Sequence, residues 1–216
     1  AGLIFKVVPP DMPDFQINLE ALTAMLTPNT QAVLLNSPNN PSGVVYPRQT
    51  LEALAAILRK KAAAFGHPIY LISDEPYREL VYGVEVPYLP AIYPDTIICY
   101  SYSKSLSLPG ERIGYVLVPP KAAESADLYA AVCGAGRALG YVCAPSLFQR
   151  VAARCADLTS DISVYRTNRD LLYSGLTEMG YTCVKPEGAF YLFPRTLEAD
   201  DRAFCERAKK YDLLLV

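Results

Sequence analysis

The chain contains a single histidine, His67, in 216 residues. That scarcity leaves metal centres and histidine-based triads with little support. His67 precedes Pro68 at the end of a helical pattern and before an apolar run, where a structural role is expected. Basic residues are not in excess, with 20 Lys and Arg against 22 Asp and Glu. A formal charge of -2 carries no electrostatic footprint for nucleic acid. No apolar run approaches the length that spans a bilayer, and the opening AGLIFKVVPPDMP lacks a signal-peptide layout. The six cysteines include no CxxC pair and lie scattered in apolar segments. They are expected to be buried thiols of a cytoplasmic protein rather than disulfides or zinc ligands. Repeats and low-complexity tracts are missing as well.

What is present points to a folded domain. Hydrophobic residues make up 51% and charged residues 19%, outside the range of disordered chains. The length suffices for one large domain or one and a half smaller ones. Both ends are apolar, LIFKVV at the start and LLLV at the close, and each reads as a strand. Because strands need neighbours and exposed termini are usually polar, the chain is expected to be an internal piece of a longer one.

Leu3–Val8 reads as a short buried strand. Asn18 is placed to cap a helix carrying Leu19, Leu22 and Leu26, closed by Pro28-Asn29-Thr30. Ala32–Leu35 is a compact apolar run before the turn-rich NSPNNPSG. Pro47 suits the first position of a helix with Leu51, Leu54, Leu58, Ala62 and Phe65 on one face. Ile69–Ser73 and Thr96–Tyr100 are further strands. Continuous apolar strands alternating with helices predict a parallel sheet covered on both faces, an α/β fold of three layers. The link from Ser101 to Arg112 is too short for a crossover helix, so the strand Ile113–Val118 should run antiparallel. Helical sequence dominates from Lys121 to Gly180, with a break near Ala144-Pro145. A strand–helix–strand pattern from Tyr181 onward suggests a second domain, dividing the chain at 1–158 and 159–216.

In an open parallel sheet, ligands bind beyond the carboxyl ends of the strands. Three strands here end in polar residues: Asn36 to Gly43 after one, Asp74 and Tyr77 after the next, then Ser101, Ser103 and Lys104. Parallel strands place these ends along one edge, so an amide, a carboxylate, a phenol, an amine and the Arg112 guanidinium should converge. An amine can form a Schiff base with an aldehyde, and a guanidinium with serine hydroxyls suits a phosphate. A carboxylate can hold a protonated ring nitrogen, and an amide and a phenol can bond a ring hydroxyl. Pyridoxal phosphate carries all four groups.

Four stretches, NSPNNPSG, SDEPYREL, SYSKSLSLPGERIGY and EGAFYLFP, resemble in order and separation those of the class I/II aminotransferases of fold type I. The resemblance covers essentially the whole chain and lies nearest the aspartate and aromatic branch. It implies a pyridoxal-phosphate-dependent aminotransferase acting between an amino acid and a 2-oxo acid. Lys104 would hold the cofactor covalently and move the proton between substrate carbon and cofactor. Asp74 would pair with the pyridinium nitrogen, and Asn40 and Tyr77 with the phenolic oxygen. Ser101, Ser103 and Arg112 would hold the phosphate. The resemblance also implies a homodimer for the full-length protein; the charge balance and the lack of a long apolar run lead us to expect no nucleic-acid or membrane partner. Two parts of the family pattern have no counterpart here: the N-terminal glycine-rich phosphate loop with its stacking aromatic, and the C-terminal arginine that clamps the substrate carboxylate. The piece alone is therefore expected to be inactive. Phe190 and Tyr191 are as compatible with a core as with a site.

Plainer roles compete. Asp74 could cap a helix beginning near Pro76, Asn40 could simply make a turn, and Arg112 could pair with Glu111 or Asp95. Ser101-x-x-Lys104 also matches the nucleophile motif of penicillin-binding proteins, but no Lys-Thr-Gly companion occurs. Carbon–sulfur lyases and decarboxylases use the same cofactor anchors, and some transcription regulators carry an aminotransferase-like sensor half.

Overall fold

A computed structural model describes residues 2–215. Its first part comprises α1 (Leu19–Met25), β1 (Ala32–Asn36), α2 (Arg48–Phe65), β2 (Tyr70–Asp74), α3 (Leu89–Ile92), β3 (Thr96–Ser101), α4 (Tyr102–Ser105) and β4 (Gly114–Leu117). Then follow α5 (Ser125–Ala138), α6 (Ser146–Arg154), α7 (Ile162–Glu178), β5 (Thr182–Cys183), β6 (Pro194–Arg195) and α8 (Asp201–Ala208). The main sheet has the order β1-β2-β3-β4. β1, β2 and β3 run parallel, and β4 returns antiparallel to β3, as the short connection requires.

The core forms where α1, α2 and α3 cover one face of this sheet. α1 starts at Asn18, whose Oδ1 accepts the Ala21 N–H at 2.8 Å and satisfies one free donor of the first turn. α2 turns Leu51, Leu54 and Leu58 inward at helical spacing, against Leu35 of β1 and Leu71 of β2. Burying each such leucine contributes about 1.5–3 kcal/mol, which is why this helix stays docked. Side chains alternate along a strand, so Leu35, Leu71 and Ser73 face the helices. Leu34, Ile72 and Asp74 face the other way. On that second face Leu34 remains 62% exposed.

Residues far along the chain return to the loop after β1. Gly188 pairs with Val81, the Ala189 N–H donates to the Leu80 carbonyl at 2.8 Å, and the N–H groups of Glu187 and Gly188 both reach the Gly43 carbonyl at 2.9 Å. Gly43 has φ 72°, and a Cβ there would lie 2.5 Å from Cβ of Pro186. Only glycine fits both the backbone region and the approach. His67 is likewise structural: its Nδ1 and Nε2 lie 2.9 and 2.8 Å from the carbonyls of Pro68 and Pro28, tying the start of β2 to the end of α1.

Several sequence expectations shift or fail. Leu3–Val8 is not a strand: it has no strand partner among the described residues, and Ile4, Phe5 and Val7 are exposed, because an apolar run supplies a pattern but not a neighbour to bond. Pro47 is the cap rather than the first residue of α2. Residues 76–79 form a turn, not a helix, closed by the Leu80 N–H on the Tyr77 carbonyl. The last segment orders as strand, strand and helix, and Leu213–Leu215 form no strand; Val216 lies outside the described residues. None of the six cysteines is fully buried, and Cys133 and Cys143 are exposed, since α5 and the loop after it present much of their surface outward. Among the described residues no helix is long and apolar enough to cross a membrane.

The two left-handed glycines separate strain from contact. Gly43→Ala should cost at least about 2 kcal/mol and strip hydrogen-exchange protection from the Glu187 and Gly188 amides. Gly66→Ala, at the α2 C-cap with φ 77° and open space around it, should cost only about 1 kcal/mol. Chemical denaturation of both variants checks the ranking.

Candidate active site

β1 and β2 are in register at Asn36 and Asp74, and this pairing builds the floor of the site. The Asn36 Nδ2 group donates to Asp74 Oδ2 at 3.0 Å and to the Asp74 carbonyl at 3.1 Å. Its Oδ1 accepts the Asn40 N–H at 2.6 Å. One amide therefore fixes both the carboxylate and the loop bearing Asn40. Asp74 makes no ion pair among the described residues, and its burial raises its pKa while the Asn36 bond works in the opposite direction. It caps no helix. The neighbouring Glu75 takes a different path: it is buried, accepts the Ser73 hydroxyl at 2.7 Å and pairs with Arg78 at 2.7 Å.

Tyr77 is buried above this floor. Its hydroxyl lies 2.7 Å from that of Tyr191, and its pKa is pushed well up by burial first, then by Tyr191 and the Asp74 charge, with the Asn40 amide opposing. It stays a neutral phenol through the physiological range. The Lys104 Nζ sits 6.0 Å from the centre of the Tyr77 ring and 5.2 Å from that of Phe190. An ammonium over aromatic faces is attracted by the ring quadrupoles. No carboxylate of the described residues lies within ion-pair distance of it.

The remaining predicted residues lie beside this group. Ser101 caps α4, its Oγ accepting the Ser103 N–H at 3.2 Å and donating to Ser103 Oγ at 2.8 Å. Arg112 is brought to the same end by the β3–β4 hairpin, where Ser101 lies opposite Gly114 and the Tyr102 N–H meets the Ile113 carbonyl. Its guanidinium is exposed and donates to the Pro109 carbonyl at 2.9 Å, touching neither serine, and it pairs with neither Glu111 nor Asp95. Asp95 instead accepts the Ala123 N–H at 2.7 Å.

Asp74, Tyr77, Asn40 and Lys104 thus gather around one phenol ring. The sequence assigns no role to three contributors. Asn36 is signalled only by its strand-end position in register with Asp74. Phe190 and Tyr191 pack edge-on to Tyr77 at 5.5 and 5.7 Å, and only the glycine before them hinted at a close approach.

The fold is that of an α/β protein, with a cluster of chemically unlike groups beyond the carboxyl ends of its parallel strands. Over residues 1–215 the chain matches the family described as aminotransferase class I and II, and it belongs to that family. It is 33% identical over 199 residues to the aspartate aminotransferase of Thermotoga maritima, covering 90% of this chain and 49% of that one. With the aspartate aminotransferase of Bacillus subtilis it shares 34% identity over 195 residues, 86% of this chain and 47% of the relative. The crystal structure of an aminotransferase from Eubacterium rectale superposes with a TM-score of 0.93 at 58% identity, over 97% of this chain and 53% of that one. The Thermotoga maritima aspartate aminotransferase structure gives a TM-score of 0.80 at 32% identity, over 94% and 52%. The chain spans about half the length of the curated relatives it matches. Its fold is that of the fold type I aminotransferases.

The half-buried, cation-free carboxylate yields a prediction. A raised carboxyl pKa in the folded chain means that ionisation opposes folding, so the protonated form is favoured and stability falls as pH rises through that raised value. Asp74→Asn keeps an acceptor for Asn36 without the charge. In the cofactor-free chain it should raise the thermal unfolding midpoint at pH 7. The difference should shrink toward zero as pH falls into the ordinary carboxylate range, where Asp74 is itself neutral. A lower midpoint than wild type at pH 7 would contradict the assignment.

Proposed function

We propose that the full-length protein is a pyridoxal-phosphate-dependent aminotransferase, and that this chain supplies the part of the site that holds the cofactor ring. The observation that carries the reading is the pairing of unlike groups around Tyr77: an amine with no carboxylate partner and a half-buried carboxylate with no cation. The named relatives support amino-group transfer over a carbon–sulfur lyase, a decarboxylase or a regulator's sensor half.

The residues present fit this cofactor at its ring end. When bound, pyridoxal phosphate supplies an aldehyde that captures amino groups and a protonated ring that draws electrons from the substrate. Lys104 would provide the amine that holds it and a base able to move a proton at the substrate carbon. Asp74 offers the negative charge that keeps a ring nitrogen protonated, and its desolvation is relieved when a cation arrives. Asn36 holds that carboxylate in one rotamer. Tyr77, neutral and anchored by Tyr191, would hold a ring oxygen together with the Asn40 amide. Ser101, Ser103 and Arg112 serve the phosphate. In the present arrangement the two serines bond each other and Arg112 bonds Pro109, so all three must exchange these partners for phosphate oxygens.

The substrates are an amino acid and a 2-oxo acid, the full-length protein is a cytoplasmic homodimer, and residues 159–216 begin a second, smaller domain. By itself the chain lacks counterparts of the backbone phosphate loop and the substrate-clamping arginine, so it should bind the cofactor weakly and turn over nothing. Misplaced or missing positioning groups cost large factors in rate.

Borohydride reduction of the full-length protein with pyridoxal phosphate, followed by peptide mapping, should place the label on Lys104. Lys104→Ala should lose that label and reduce transamination by at least about a thousandfold while leaving the circular dichroism spectrum unchanged. A label on any other lysine would overturn the assignment.

A further inference from the structure

We propose that Ser160 is a positioning residue for the Lys104 amine, an inference that rests on the reading of Lys104 given above. α4 is a single turn of four residues, in which the Lys104 carbonyl accepts a long bond from the Ser107 N–H at 3.4 Å and the Ser105 carbonyl has no partner within the turn. So short a helix does not hold its own shape. Ser160, more than fifty residues away, supplies what is missing. Its N–H donates to the Ser105 carbonyl at 2.7 Å. Its hydroxyl lies 3.1 Å from the Lys104 carbonyl and 3.0 Å from that of Ser105, sharing one proton between them. The same hydroxyl lies 2.9 Å from Ser107 Oγ, where the chain leaves the turn with φ 54°.

The turn is held from its other side as well. The Ser105 side chain is buried and lies 2.8 Å from the Tyr100 hydroxyl, which is itself 2.8 Å from Glu79. Ser105 therefore anchors the turn to the sheet, and Ser160 anchors it to the helix that follows. Asp161 caps that helix, α7, by accepting the Ser163 N–H at 2.9 Å. One turn further on, Tyr165 stacks on Phe190, with centroids 5.7 Å apart and planes at 23°. Phe190 is the ring beneath the Lys104 Nζ. α7 thus grips Lys104 twice, through its backbone by Ser160 and near its amine by Tyr165 and Phe190. A displacement of α7 carries the backbone and the ring together, so the amine keeps its place over the aromatic faces. Ser160 closes this loop, because it immediately precedes the α7 cap Asp161 and bonds the α4 backbone.

The test uses the full chain as wild type, Ser160→Ala and Ser160→Thr. Amide hydrogen exchange is followed for residues 102–107, with α2 as the internal reference. Each protein is also treated briefly with pyridoxal phosphate and borohydride, and the label on Lys104 is measured relative to that on the exposed Lys121. Loss of one hydrogen bond should speed exchange in 102–107 by about fivefold without affecting α2. The Lys104 to Lys121 labelling ratio should fall by a similar factor, and threonine should restore both. Unchanged exchange or an unchanged ratio in Ser160→Ala overturns the proposal, as does a threonine variant that fails to restore them. Equal acceleration in α2 would make Ser160 a general support of the fold and equally overturn it. If wild-type Lys104 is labelled no faster than Lys121, the cofactor role of Lys104 fails, while exchange in 102–107 still decides whether Ser160 holds the turn.

Discussion

The parallel pairing of β1, β2 and β3 is the constraint on which the site depends. Asn36 stands opposite Asp74, and Asp74 opposite Cys99, so β1 and β2 end level while β3 runs on to Ser101 along the same edge. Side chains alternate along each strand, and a slip of one residue in β2 would turn Asp74 toward α2 and present Ser73 in its place. The leucines of α1 and α2 prevent that slip, since it would expose Leu71 and bury the carboxylate against them. Register in this sheet is thus set on one face and used on the other.

A second constraint works across the chain. The segment from Pro186 to Tyr191 is held to Gly43 and Leu80 by backbone bonds, and its aromatic residues complete the surroundings of Tyr77. Tyr77 is buried only because a strand-like stretch more than a hundred residues later folds over it. The same return brings Phe190 beneath Lys104. A phenol, an amine and a carboxylate that would each be ordinary in water are therefore held in a partly dry site.

The electrostatics of that site run against stability. Asp74 is desolvated with a neutral amide as its partner, whereas Glu75 next to it has a serine hydroxyl and an arginine. Two adjacent carboxylates, one half-buried and one fully buried, receive opposite treatment because they point to opposite faces. The paired one secures the turn after β2. The unpaired one is left needing a cation, which is the expected condition of a group reserved for a ligand.

Much of this was legible in the residues. Alternating apolar runs and capping residues located β1, β2, β3, α1 and α2 to within a residue or two, because these elements are determined by local periodicity. The brevity of the Ser101–Arg112 link dictated that β4 return antiparallel. The topology rule then drew Asn40, Asp74 and Lys104 to one edge. Other features were not legible, because they depend on a partner distant in sequence. Leu3–Val8 has the composition of a strand and no strand beside it. Pro76 suits a helix start, but the residues after it close as a turn once Leu80 and Val81 bond the segment around Gly188. Arg112 reaches the right end of the sheet, yet its guanidinium rests on Pro109. Sequence alone therefore determined which chemical groups sit at which strand ends, since strand boundaries and side-chain alternation are local properties of the chain. Only the tertiary structure decided which neighbours desolvate them, that Asn36 orients Asp74, and that Ser160 and Phe190 hold Lys104, because burial and hydrogen bonding across long separations exist only once the chain has closed on itself.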